Sequence, residues 1–148
     1  MSDPWGRIGA VGDDPRRPLQ EGAAGMPGIA TLAMINLDAA DPAALASFYS
    51  QLLGWDVVHS ADDYAMVSDG AMSIGFGRLP GYAGPGWPGE AAPKRYHLDL
   101  YVDDLDNAEE QALALGATKP ATQPEPQRWR VLLDPGGHPF DLCARPQG

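Results

Sequence analysis

The sequence predicts an α+β fold: two βαβββ modules in tandem, each a curved mixed β-sheet with one helix on its outer face and a concave cleft inside. Three observations carry this. The order strand, helix, strand, strand, strand is legible twice between residues 29 and 148. In both copies the helix shows an apolar stripe, and the strand before it alternates between an apolar and a polar face. A Pro/Gly-rich stretch, residues 80–93, separates the copies. The copies share few letters, so the repeat is one of pattern.

Residues 1–28 mix Gly, Pro and charge without an apolar period and read as a flexible leader. The first module is expected over residues 29–79. Its opening strand is Ala30–Asp38, in which Met34, Asn36 and Asp38 share one face and Ile35 and Leu37 the other. Asp41-Pro42 then supplies a side-chain cap and a proline for the first helical position. Leu45, Phe48, Tyr49, Leu52 and Leu53 follow at helical spacing, which makes one side of the helix apolar. Gly54 can adopt the left-handed conformation that ends a helix. Three short strands are expected next, around Trp55–His59, Tyr64–Ser68 and Met72–Leu79, divided by Ala61-Asp62-Asp63 and by Asp69-Gly70.

The stretch 80–93 is a linker by composition, with Tyr82 and Trp87 embedded in it. The second module is expected over residues 94–148. Its first strand is Arg95–Val102, with Leu98, Leu100 and Val102 on one face and His97, Asp99 and Tyr101 on the other. Asp103 or Asp104 caps a helix carrying Leu105, Ala108, Ala112 and Leu115, and Gly116 closes it. Short strands are expected near Ala117–Thr122, Arg128–Leu133 and Pro139–Cys143, with Asp134-Pro135-Gly136-Gly137 as a tight turn.

Composition narrows the function. Twenty acids against ten bases give a formal charge of −10. The basic residues are scattered, whereas a phosphate-binding surface needs them clustered, so nucleic acid is not an expected partner. No apolar run approaches the ~20 residues of a membrane helix, and the N-terminus lacks the apolar core of a secretory signal. Cys143 is the single cysteine. An intramolecular disulfide is therefore excluded, and a reducing cytoplasm is the expected compartment.

A helix covers only one face of its sheet, and the Ile35/Leu37 and Leu98/Leu100/Val102 faces are the apolar ones. The remaining faces, with Asn36, Asp38, His97, Asp99 and Tyr101, are left to line a cleft. Tyr101, Trp87 and Trp129 are candidate aromatic walls. Tyr49 and Tyr64 are assigned to packing, His138 to turn geometry and Cys143 to the apolar interior. His97 is the best candidate for moving a proton, with Asp99 or Asp141 orienting it.

The segments INLDAADPAALASFYSQLLGW (35–55), RYHLDLYVDDLDNAEEQALALGA (95–117) and RVLLDPGGHPFDLC (130–143) resemble the vicinal-oxygen-chelate family, of the glyoxalase, bleomycin-resistance and dioxygenase type. The resemblance runs from about Ala30 to Arg145. It implies two βαβββ modules around a ligand cleft. It also implies a divalent metal held by four side chains, one from the first and one from the last strand of each module. Carried over by position, the second module supplies His97 and Asp141, which suit Fe²⁺, Mn²⁺, Ni²⁺, Co²⁺ or Zn²⁺. The first module departs from the pattern. Met34 stands where His97 stands, and the strand MSIGFGRL carries no carboxylate, imidazole or thiolate.

Two of four ligands favour a metal-free site, although Asn36, Asp38 and Asp99 could complete a shifted one. The expected function is a small-molecule-binding protein that sequesters an aromatic or cationic compound, as the resemblance to bleomycin-resistance proteins implies. One alternative is a metal-dependent lyase, isomerase or dioxygenase that chelates vicinal oxygens. Another is metal-free acid–base catalysis by His97. A homodimer is expected from the resemblance alone.

Overall fold

In each half of the chain the first strand pairs in parallel with the last, and the helix between them crosses the face that becomes buried. The computed structural model describes residues 28–85 and 96–146. The leader before Gly28 and most of the linker, Trp87 included, lie outside the described residues. The first half contains β1 (Ile35–Ala39), α1 (Pro42–Leu53), β2 (Asp56–Ser60), β3 (Tyr64–Ser68) and β4 (Ser73–Arg78). The second contains β5 (Leu98–Val102), α2 (Leu105–Ala114), β6 (Trp129–Leu133) and β7 (Pro139–Ala144). The sheet orders are β1-β4-β3-β2 and β5-β7-β6.

Helix α1 starts and stops where its local chemistry dictates. The Asp41 carboxylate accepts from the Ala44 amide, Pro42 occupies the first turn, and Gly54 closes the helix at φ 70°. Its stripe then meets the inner face of the sheet. The row Leu37–Phe76–Ala65 runs across that face, with Ile35–Ile74–Val67 beside it. Leu45, Phe48 and Tyr49 are buried against it. The second sheet presents Leu98–Phe140–Leu132 in the same way.

The two halves share one core. Phe48 lies edge-on to Tyr49 at 5.0 Å and to Phe140 of β7 at 6.0 Å, while Tyr49 stacks on Phe76 of β4 at 5.5 Å. Such aromatic contacts add to the area term that drives burial. Polar bonds fix the junction. The Tyr49 hydroxyl donates to Asp134 Oδ2 at 2.6 Å in the buried interior. Asp134 Oδ1 accepts from the Gly136 and His138 amides, closing the turn. The His138 ring donates through Nε2 to the Asp38 carbonyl at 2.7 Å. Gly137, at φ 88°, lets the turn approach residues 83–84 so closely that a Cβ there would overlap the Ala83 carbonyl.

The structure corrects several expected boundaries. β1 begins at Ile35 instead of Ala30 and β5 at Leu98 instead of Arg95, so Met34 and His97 each stand one residue before their strand. Ala117–Thr122 is not a strand. Only Thr118 bridges to Leu133. The reason is chemical: Pro120, Pro124 and Pro126 cannot donate to a ladder. The Gln123 carboxamide does that work for the outer side of β6. It accepts from the Val131 amide and donates to the Val131 carbonyl, both at 2.9 Å.

Candidate ligand and metal site

Because side chains alternate along a strand, each sheet has a face that its helix does not cover. On the second sheet the register sets Asp99 opposite Asp141 and Tyr101 opposite Cys143, with Trp129 next to Cys143. His97 precedes Asp99 by two residues and shares its side. The three groups converge: His97 Nε2 lies 3.4 Å from Asp99 Oδ1 and 3.3 Å from Asp141 Oδ2. Their side chains are 18%, 64% and 5% exposed, respectively. Asp141 is thus held inside the protein, His97 at its mouth and Asp99 in solvent. Such a gradient presents two carboxylates and an imidazole to one point at the surface.

The aromatic candidates flank this point. Tyr101 is exposed and Trp129 half-buried. Arg145 lies 5.8 Å from the Tyr101 ring centroid and also pairs with Asp103, while Arg128 lies 5.9 Å from the Trp129 centroid. Cys143 is half-buried on the open face, a correction to its assignment to the interior.

On the first sheet the open face carries Asn36 and Asp38 of β1, both exposed, opposite Gly75 and Gly77 of β4. Tyr64 of β3 also belongs here, which corrects its assignment to packing alone. Its hydroxyl donates to Asn36 Oδ1 at 3.3 Å and approaches Met34 Sδ at 3.4 Å. Partial burial raises its pKa above the ordinary tyrosine value, so the phenol stays protonated at neutral pH. Some hollows lie elsewhere. One of about 290 Å³ runs between α1 and α2 past Leu52, Leu100 and Asn107, and one of about 530 Å³ sits at the junction beside Tyr82, Thr118 and Pro135. Neither reaches His97 or Asn36.

With this geometry in place, comparison with known proteins becomes decisive. A family model described as a glyoxalase-like domain matches residues 34–143, which spans both sheets and the open faces. The chain belongs to the glyoxalase-like branch of the vicinal-oxygen-chelate family. No curated protein matches the sequence. Solved structures share the fold. A protein from Agrobacterium tumefaciens superposes with a TM-score of 0.60 at 19% identity, covering 80% of this chain and 100% of the other. A glyoxalase/bleomycin resistance protein/dioxygenase family enzyme from Burkholderia phytofirmans gives 0.56 at 24%, covering 78% and 98%. A fosfomycin resistance protein from Mesorhizobium loti gives 0.57 at 17%, covering 78% and 92%.

Membership in the vicinal-oxygen-chelate family implies a metal, and the two modules answer differently. In the second, the donor set fits. Hydrogen bonds from nitrogen to oxygen run about 2.7–3.2 Å. Tetrahedral ligands about 2.0–2.2 Å from a zinc ion stand about 3.3–3.6 Å from each other. The 3.3 and 3.4 Å spacings are compatible with donors that share an ion, as they are with a direct imidazole–carboxylate contact. The three residues also form the single group of at least three potential metal donors among the described residues, with all donor atoms within 4.8 Å.

In the first module the donor set does not fit. Register makes Met34 the counterpart of His97, Asn36 of Asp99 and Gly75 of Asp141. A thioether, a neutral amide and a residue without a side chain offer none of the carboxylate, imidazole or thiolate donors that the second module's ions take. Asp99, exposed and two residues from His97, joins the second-module pair; sequence alternation signals its side, though not its distance.

Proposed function

We propose that this protein binds a small organic molecule on the open faces of its sheets, anchored at His97, Asp99 and Asp141 with a divalent metal ion between them. The observation that supports this most is the convergence of those three donors at ligand-like spacing. Asp141, buried and fixed by β7, supplies a carboxylate oxygen at a point that solvent screens little. His97 supplies the directional nitrogen, and Asp99, on the solvent side, orients the outer edge of the centre. Three protein donors leave coordination positions for the oxygens of a ligand. A bound metal would supply Lewis-acid contact to such oxygens. Tyr101 and Trp129 are the adjoining aromatic walls.

The site is completed by a second copy of the chain. Strands β1 and β5 each have a single strand partner among the described residues. Pairing such edges across two copies removes an exposed ladder and walls the faces into a cleft. A cytoplasmic setting suits a chain with a single free thiol.

A second reading has its own support. The charge of −10 and two carboxylates at one point suit a cationic aromatic ligand without any metal. One experiment separates the two: elemental analysis of untagged protein purified without chelator, paired with thermal melting in Fe²⁺, Mn²⁺, Ni²⁺, Co²⁺ or Zn²⁺. Near-stoichiometric metal and a melting rise that disappears in His97→Ala and Asp141→Ala are the expected results. Neither metal nor a shift with any ion would retire the metal and leave the cationic-ligand reading, read out by Trp fluorescence quenching that weakens with salt.

A further inference from the structure

We propose that Tyr64, Asn36 and Met34 form a separate, metal-free subsite on the first module's open face, which takes the carbonyl oxygen of a planar, uncharged small molecule. The inference rests on the reading that a ligand lies on the open faces, and not on the metal. Its starting point is the pseudo-equivalence of the two sheets. Gly75 stands in β4 where Asp141 stands in β7, and its lack of a side chain leaves room. That room is filled. A Cβ on Gly75 would overlap both the Tyr64 hydroxyl and Asn36 Oδ1. The phenol oxygen therefore stands over the backbone from which, in the other module, a carboxylate projects.

The exchange reverses the chemistry of the spot. A carboxylate accepts hydrogen bonds or binds a cation, whereas a protonated phenol donates. The bonds Tyr64 makes here are long, 3.3 Å to Asn36 Oδ1 and 3.4 Å to Met34 Sδ. A good O–H···O bond measures about 2.5–3.0 Å, so an acceptor at that distance makes a stronger bond with this hydroxyl than Asn36 Oδ1 does. With its oxygen turned to Tyr64, the Asn36 amide keeps two N–H donors for the same guest. Flat surroundings are provided by soft groups. Met34 lies beside the hydroxyl, Met66 is Gly75's neighbour in register, and the His59 ring backs the Tyr64 ring at 5.9 Å. Asp38, on the same face, repels a carboxylate guest. A neutral carbonyl on an aromatic frame is what remains.

The test uses the full chain labelled with [methyl-¹³C]methionine and two probes, acetophenone and ethylbenzene, which share a frame but differ in the carbonyl. Acetophenone is expected to shift the Met34 and Met66 methyl signals and to bind more tightly than ethylbenzene. Tyr64→Phe should weaken acetophenone about three- to ten-fold, the worth of one neutral hydrogen bond, and leave ethylbenzene unchanged. Gly75→Ala, which displaces both polar groups, should erase the preference as well. Equal binding of the two probes, or an unchanged acetophenone affinity in Tyr64→Phe, would overturn the subsite. So would silence of both methyl signals. In that event the His97 ring signals decide how much falls: a response to Zn²⁺ confines the loss to this subsite, and no response retires the metal of the second module as well.

Discussion

Burial sorts the three donors of the second module by what each contributes. Asp141 is almost fully enclosed, so its removal leaves His97 without the partner that solvent cannot replace. Asp99 is mostly in water, where an ion pair is worth little. Isothermal titration with Zn²⁺ should therefore show affinity lost by more than 100-fold in His97→Ala and Asp141→Ala, but by only about 10-fold in Asp99→Ala, the low end of the range by which partners of a metal site weaken it. Equal losses from Asp99→Ala and Asp141→Ala would contradict that ordering. A second residue-scale prediction concerns Tyr49. Burial first, then the Asp134 charge and the hydrogen bond to it, push the Tyr49 pKa well above 10.0. The folded state thus holds this proton more tightly than the unfolded chain does. Its contribution is complete below pH 10 and is lost as pH rises through the folded value, so alkaline melting should begin above pH 10. Tyr49→Phe leaves the Asp134 carboxylate one donor short in the interior, at a cost of about 1–3 kcal/mol by urea unfolding, and removes that alkaline component.

Among the elements, the segment between α2 and β6 is held by side chains where a strand was expected. Besides Gln123, an ionic clasp joins three parts of the second half. Glu109 of α2 bonds Lys119 at 2.8 Å and Arg130 of β6 at 2.9 Å, and Arg130 also reaches Asp106 at 2.6 Å. Burial alone would raise the Glu109 pKa, but the hydrogen bonds from Lys119 and Arg130 outweigh it and hold the value below 4.5. A lowered folded value stabilises above the unfolded one, and the gain is lost as pH falls through the folded value. Glu109→Gln should cost about 1–3 kcal/mol at pH 7 and flatten the acid limb of a stability–pH curve; an unchanged acid limb would count against the clasp. Gln123→Ala should speed amide exchange at Val131 with little effect on β1–β4. Such links explain what the sequence could and could not disclose. Both helices, their caps and the polar sides of β1 and β5 follow from periodicity, which is local. The matching of Met34 to His97 follows too. By contrast, Tyr49 meets Asp134 across 85 positions, Gln123 mimics a peptide group, and Tyr64 leans over Gly75. None of these contacts has a local period, so alternation placed Tyr64 on a strand without showing what its hydroxyl touches.

At the scale of the whole molecule, charge and edges pull in opposite directions. A net charge of −10 disfavours association of two copies, and among the described residues no helix is long and apolar enough to cross a membrane. Yet each sheet ends in a strand, β1 or β5, paired on one side alone. An unpaired ladder in water invites a partner, and a pair of such edges related by two-fold symmetry satisfies both ladders at once, with β2 and β6 left as the outer edges of their sheets. Edge pairing is short-ranged, whereas charge repulsion between exposed groups weakens with salt, as the Debye length contracts from about 30 Å at 0.01 M to about 8 Å at 0.15 M. The balance therefore predicts a dimer whose dissociation constant falls as salt rises. Sedimentation at 0.01 M and 0.15 M NaCl measures this directly, and hydrogen exchange read on the same samples shows whether protection appears in both β1 and β5 as dimer forms. A single chain of 15.7 kDa at every salt and concentration would remove the second copy from the site. A dimer that forms without protecting those strands would place its interface elsewhere, and the open faces would then have to hold a ligand unaided.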